Sequence, residues 1–109
     1  DVAWPVLASA DAVPYPRYDT VCPGWDNTAR RGEDAWVLHH NTPESYERWL
    51  ALAVGRAMRR PVDERLVFVN AWNEWAEGAH LEPDRRDGRV FLDATLRAVR
   101  AGASLQRPP

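Results

Sequence analysis

The stretch that most restricts the fold is "RLVFVN", Arg65 to Asn70, in which apolar side chains run unbroken from Leu66 to Val69. A strand with one wet face alternates apolar and polar residues, so a continuous β-branched and aromatic run reads as a parallel strand covered on both faces. The segment before it, "NTPESYERWLALAVGRAMRR", reads as a helix. Thr42 is a good N-cap, Pro43 sits at the first helical position where its missing N–H costs nothing, and Glu44 suits the positive end of the helix dipole. Tyr46, Trp49, Leu50, Ala53, Val54, Ala57 and Met58 then recur as one stripe, which predicts a helix lying on something with one face. Trp49 falls within that stripe and is assigned to the core.

Further upstream, "YDTVC", Tyr18 to Cys22, reads as a short buried strand stopped by Pro23 and Gly24, with the polar loop "PGWDNTARRGED" after it. Residues Asp1 to Arg17 hold three prolines and no clean period, as expected of the end of a preceding element followed by a loop. Downstream, Asp87 and Gly88 mark a turn, and "RVFLDATLRAVRAGA" reads as a last helix ending near Gly102, before the "QRPP" tail. Strand, loop, helix, strand, loop, helix is the order of α/β units on a parallel sheet. Two strands do not make such a sheet alone, and a (β/α)8 barrel takes about 250 residues. Residues 1–109 are therefore expected to be the C-terminal βα units of a (β/α)8 TIM barrel, an incomplete barrel within a longer catalytic domain, with a doubly wound sheet as the structural alternative. The remainder of the barrel is expected to be needed for folding.

Composition excludes little. A net charge of −2 gives no reason to expect a nucleic-acid or membrane-surface partner, and a single cysteine, Cys22, rules out an internal disulfide framework. No stretch approaches the roughly 18 apolar residues of a membrane span, and no signal pattern opens the chain, which starts at Asp1 without an initiator methionine. The anomaly is tryptophan, present six times, at Trp4, Trp25, Trp36, Trp49, Trp72 and Trp75.

Two of these tryptophans stand in "NAWNEWAEGAHLEPD", Asn70 to Asp84, where the apolar strand ends. In a barrel this loop and "PGWDNT" would share the C-terminal rim, where active sites form. If the chain curls directly after Val69, Glu74 and Glu77 converge, since residues three apart in a turn come within about 5 to 6 Å. Close carboxylates resist double ionisation, so one serves as an acid and its neighbour as a base, the division of labour found at glycosyl-transferring sites. Trp72 and Trp75 would offer apolar faces to sugar C–H groups, and Asn70 and Asn73 amides to hydroxyls. The same residues have a structural reading: glutamates near a helix start cap it, and tryptophans pack a loop. His39 and His40 are read as solvated or locally hydrogen-bonded, and His80 with Glu82 and Asp84 lacks strong metal-ligand spacing.

"WNEWAEG" resembles the W-N-E-W-x-E-G signature of glycoside hydrolase family 99 and of the related WbsX-like polysaccharide-synthesis glycosyltransferases. "FVNAWNEWAEGAHLEPD" together with "PGWDNTARR" looks especially like the WbsX-like branch, over roughly Tyr18 to Ala101. The resemblance implies a (β/α)8 barrel with Glu74 as a base on the sugar 2-hydroxyl and Glu77 as acid/base. It implies Trp25, Asp26, Asn27 and Arg31 on the facing loop near the sugar, a glycan substrate, an activated sugar donor if the chemistry is transfer, no cofactor and no metal, and a bacterial cytoplasmic setting. The chain has Ala76 where the hydrolases commonly have His, and Trp25 where they have Tyr, so their mannoside specificity is not carried over. Transfer onto a bacterial surface polysaccharide, such as a lipopolysaccharide O-antigen, is the favoured expectation. A retaining endo-acting hydrolase and a non-catalytic glycan-binding barrel are the alternatives. No Gly-rich phosphate cradle and no DxD-like pair is present to mark an ordinary nucleotide-sugar site.

Overall fold

The computed structural model describes residues 13–104. Trp4, most of the expected leading segment and the "QRPP" tail lie outside the described residues. The fold is mixed α/β. Strand β1 (Asp19–Val21) lies parallel to β2 (Val67–Val69), in the register Asp19↔Val67, Thr20↔Phe68 and Val21↔Val69. Helix α1 (Thr28–Arg31) and a 3-10 turn at Gly32–Asp34 occupy the loop after β1. The long helix α2 (Pro43–Ala57) makes the crossover to β2. A small antiparallel hairpin of β3 (Asn73–Glu74) and β4 (Ala79–His80) follows, with a 3-10 turn at Trp75–Glu77 between its strands, and α3 (Val90–Ser104) closes the described chain.

The start of α2 forms as its sequence directs. Thr42 Oγ1 accepts from the Ser45 amide at 3.2 Å, and Ser45 Oγ accepts in return from the Thr42 amide at 2.9 Å, so two amide donors at the helix start are satisfied reciprocally. The stripe then buries Tyr46, Leu50, Ala53 and Ala57, while Trp49 and Val54 pack at the margin of the core. Val21 from β1, Leu81, and Ala94 and Ala98 from α3 complete the cluster. Full burial of a side chain such as Leu50 is worth about 1.5–3 kcal/mol.

Small residues let α2 and α3 approach closely. A Cβ on Gly102 would lie 2.6 Å from Val54 Cβ and 2.7 Å from the Ala51 carbonyl oxygen. Polar ties cross the same seam: Tyr46 Oη lies 3.1 Å from Thr95 Oγ1, and Arg97 meets Glu47 at 2.8 Å. The hydrogen bond that Arg97 donates to Glu47 holds its guanidinium above its ordinary pKa. Arg56, in the last turn of α2, grips Asp19 through two hydrogen bonds of 2.9 and 2.8 Å, fastening the helix to the start of β1 in the bidentate geometry arginine favours.

One expectation is met only on one side. Val21 is fully buried, but Phe68 is 53 % exposed and Leu66 49 %. Among the described residues each strand of the parallel pair has a single neighbour, and the core cluster in which its buried side chains pack is built from α2 and α3. The apolar run of β2 thus has more cover written into it than these residues supply.

Candidate functional site

The loops that follow β1 and β2 are stitched together where the strands end. The Asn70 amide donates to the Val21 carbonyl at 2.9 Å, extending the parallel pairing by one step, and the Asp26 amide donates to the Glu77 carbonyl at 2.9 Å. Gly24 permits this approach: a Cβ there would sit 2.9 Å from the Gly78 carbonyl oxygen and 2.5 Å from Asn41 Nδ2. Gly78 itself, at φ 63°, takes the left-handed conformation that turns the chain after Glu77.

Within the first loop several expected binding residues turn out to hold its shape. Asp26 Oδ1 accepts from the Thr28 amide at 2.9 Å, and hydrogen bonding from Thr28 keeps the Asp26 carboxyl below the ordinary range, against a small opposing effect of burial. Asn27 Oδ1 accepts from the Trp36 amide at 2.7 Å, so this amide oxygen is committed to the loop. The Leu38 amide bonds the Trp25 carbonyl at 2.7 Å, and Asp26 and Val37 form an antiparallel bridge. What reads in sequence as one polar loop is a folded flap with a helical turn at its centre.

The two signature glutamates occupy different environments. Glu74 is exposed on β3, whereas Glu77 is only 3 % exposed at the end of the 3-10 turn. Arg30, on α1, forms an ion pair with Glu77 Oε1, and Glu77 Oε2 is buried without a hydrogen-bond partner among the described residues. Glu77 is also one wall of a cavity of ≈ 320 Å³, lined by Trp25, Asp26, Asn41, His80 and Asp84 among others. A second, of ≈ 310 Å³, also reaches Glu77, between Asp26, Thr28 and Ala76. A third, of ≈ 300 Å³, is apolar and aromatic, with Trp25, Trp36, Trp49, Cys22 and Asn70 on its walls. There burial raises the Cys22 thiol, whose Sγ lies 2.7 Å from the Gly24 carbonyl oxygen. Trp25 is shared by the first and third cavities, and Glu74 lines none of the three.

Trp72 and Trp75 are 52 % and 49 % exposed, but not equivalent. The Trp72 carbonyl accepts from the Leu81 and Glu82 amides at 2.9 and 3.1 Å, holding the hairpin's base. Trp75 lies face to face with His80, ring centroids 3.9 Å apart and 12° from parallel, and its Nε1 donates to Glu82 Oε2 at 2.6 Å. One indole face is covered and the ring is locked. His80 in turn sits 3.2 Å from the Glu82 carbonyl through Nδ1 and 3.5 Å from Asp84 Oδ2 through Nε2. Asp84 is fixed by amide donors from Arg86 and Asp87 at 2.8 and 2.5 Å, and the Asp87 bond above all keeps its carboxyl low.

Of the residues expected at the site, Trp25, Asp26 and Glu77 share one cavity wall, while Asn70 lies on the aromatic side. Asn73 is exposed on β3, paired through its backbone with His80, and Arg31 is exposed at the end of α1. Sequence reasoning missed Arg30, because in "TARR" only the turn of a four-residue helix decides which arginine faces the acid. It also passed over His80 and Asp84. Their spacing of four is weak as a metal pattern, and among the described residues no group of three or more His, Cys, Asp or Glu side chains is placed to hold a metal ion.

An acid withdrawn from water, an aromatic wall and fixed polar groups around a cavity suit a ligand rich in both hydroxyls and C–H faces. Residues 2–95 match the family model described as Glycosyltransferase WbsX. Two curated relatives, each named uncharacterized protein WxcX, from Xanthomonas campestris pv. campestris strains B100 and ATCC 33913, are 50 % identical to the chain over 86 residues. The alignment covers 78 % of this chain and 12 % of each relative, so the chain spans about an eighth of the length of the curated relatives it matches. No solved structure matches it. With the family model matching most of its length, the chain belongs to the WbsX glycosyltransferase family.

Proposed function

We propose that this chain carries the reacting carboxylates of a glycosyltransferase that builds a bacterial surface polysaccharide, and that it forms the closing βα units of a (β/α)8 barrel. The observation that carries the reading is Glu77: a 3 % exposed carboxylate lining a cavity, with one oxygen left without a partner among the described residues. Burying such an oxygen unpaired costs about 1–3 kcal/mol or more for a charged group, a cost that a bound hydroxyl would remove. Glu77 is the group that exchanges a proton with the reacting oxygen, and Glu74 is its partner at the sugar. Trp25 and the open face of Trp75 serve as walls for the ring, with Asp26, Asn70, Trp72 and Asn73 around them. Asn27 and Arg31 contribute through the shape of the flap.

The barrel reading is supported by the parallel β1–β2 pair, its helical crossover and the uncovered apolar side chains of Leu66 and Phe68. Loops on one end of parallel strands are where such barrels keep their chemistry. A retaining hydrolase uses the same two carboxylates, and the choice between transfer and cleavage rests on assay. The full-length protein is incubated with nucleotide-activated hexoses and, separately, with polysaccharide, comparing wild type with Glu74→Gln and Glu77→Gln. Transfer from the activated sugar, reduced about 10²–10⁴-fold by Glu77→Gln, is the expected result. Release of sugar from polysaccharide without a donor would favour the hydrolase. Undiminished activity in both variants would remove the catalytic assignment.

A further inference from the structure

We propose that Arg30 is a positioning residue that keeps Glu77 in its carboxylate form and reserves Oε2 for a hydroxyl donor, so that Glu77 meets its substrate as a proton acceptor. The inference rests on the reading of Glu77 as a reacting group and gives it a direction. The resemblance to the hydrolases casts Glu77 first as an acid that protonates a departing oxygen. An acid must hold its proton at rest, and the surroundings of Glu77 argue against that.

The two oxygens of Glu77 are treated differently. Oε1 is paired with the Arg30 guanidinium, which is 68 % exposed and reaches inward from α1 to a carboxylate that is 3 % exposed. Burial disfavours the charged carboxylate, and an opposite charge in direct contact favours it. The other titratable side chains that line the cavity beside Glu77 have partners of their own. His80 is paired with Asp84 at 3.5 Å, Arg86 with Asp87 at 3.9 Å, and Asp26 with the Thr28 amide at 2.9 Å. Among the described residues Arg30 is therefore the counter-charge of Glu77, and a protonated Glu77 would leave that guanidinium facing a neutral group. Oε2 is buried without a hydrogen-bond partner among the described residues, and Glu77 is one of the residues that line the cavity. A carboxylate oxygen only accepts, so its natural occupant is an O–H, and in a glycan that is a sugar hydroxyl.

The step that follows balances simply. The acceptor hydroxyl gives its proton to Glu77 Oε2 as its oxygen forms the bond to the anomeric carbon of a phosphate-activated sugar. The bond from that carbon to the phosphate oxygen breaks, and its electron pair leaves with the phosphate. Arg30 touches neither sugar. It acts through Glu77 by holding the charge and leaving one oxygen free to turn toward the acceptor.

The test is a double-mutant cycle on the full-length protein, reading the thermal midpoint from pH 4 to pH 8 for wild type, Arg30→Gln, Glu77→Gln and the double variant. If Arg30 pairs with an ionised Glu77, Arg30→Gln lowers the midpoint near neutral pH by about 2–4 °C. The deficit shrinks as pH falls through the carboxylate range, and it is absent in the Glu77→Gln background. Arg30→Lys, which keeps the charge, recovers part of it. A deficit that is the same at every pH and persists beside Glu77→Gln would overturn the proposal, since Arg30 would then be packing only. No deficit at neutral pH would overturn it as well. The cycle needs no substrate, so it separates the two readings. Coupling together with an active Glu77→Gln enzyme sinks the catalytic reading and leaves the pair standing. An inactive Glu77→Gln enzyme without coupling does the reverse.

Discussion

At Gly24 a single hydrogen in place of a side chain decides whether two loops can meet. A Cβ there would lie 2.9 Å from the Gly78 carbonyl oxygen, a backbone atom that cannot swing aside, and would also crowd Asn41 Nδ2. Gly24→Ala is expected to push the flap away from the hairpin, break the bond from the Asp26 amide to the Glu77 carbonyl, and cut activity more than tenfold. Its thermal midpoint should fall by only a few degrees, since overpacking costs about 1–3 kcal/mol. An enzyme with normal turnover would show that the loop contact is dispensable. Acid supplies a second residue-scale prediction. Asp26 and Asp84 both have folded-state pKa values below 3.8, through the Thr28 bonds in the first case and the Asp87 bond first in the second. A depressed folded pKa means that the loop stabilisation is fully present above the unfolded value and is lost as pH falls through the folded one. The amide proton shifts of Thr28 and Asp87 should therefore titrate with midpoints below 3.8. Midpoints at or above that value would contradict the assignment.

The elements themselves were the most readable part of this chain. Helix α2 begins at Pro43 behind Thr42, and both strands lie within the segments that announced them, because caps, period, breakers and apolar runs are local signals. The capping partner is Ser45, not a glutamate, and it works because its hydroxyl reaches back to the Thr42 amide. Thr42→Ala should cost about 1 kcal/mol in chemical denaturation of the full-length protein. Gly102→Ala should cost about 1–3 kcal/mol, because Val54 Cβ and the Ala51 carbonyl leave no space for a methyl group. A neutral effect would mean that α2 and α3 can slide apart cheaply. The short elements were not legible. Helix α1 is four residues long, too few for any period, and the bonds around it, from the Thr28 amide to Asp26 and from the Trp36 amide to Asn27, carry no sequence period either. The inward turn of Arg30 follows from that helix, so no local signal in the sequence singles it out from Arg31. The stacking of Trp75 on His80 likewise depends on the register of a hairpin only two residues deep.

For the whole molecule, the parallel pair carries more apolar surface than α2 and α3 cover. Phe68, Leu66 and Val62 are 53 %, 49 % and 77 % exposed, and unpaired strand edges invite other chains. Expressed alone, this 109-residue chain is expected to self-associate and to lack a sharp unfolding transition, which size-exclusion chromatography and circular dichroism melting would report. A monomer with a cooperative melt would count against the barrel reading. No helix among the described residues is long and apolar enough to cross a membrane. The Trp75–His80 stack offers a way to follow the assembled site from within. A ring pair at 3.9 Å couples the surroundings of the Trp75 indole to the position of His80. With the Trp75→Phe spectrum subtracted from that of the wild type, the remaining emission would report the arrival of any ligand that shields or displaces the histidine.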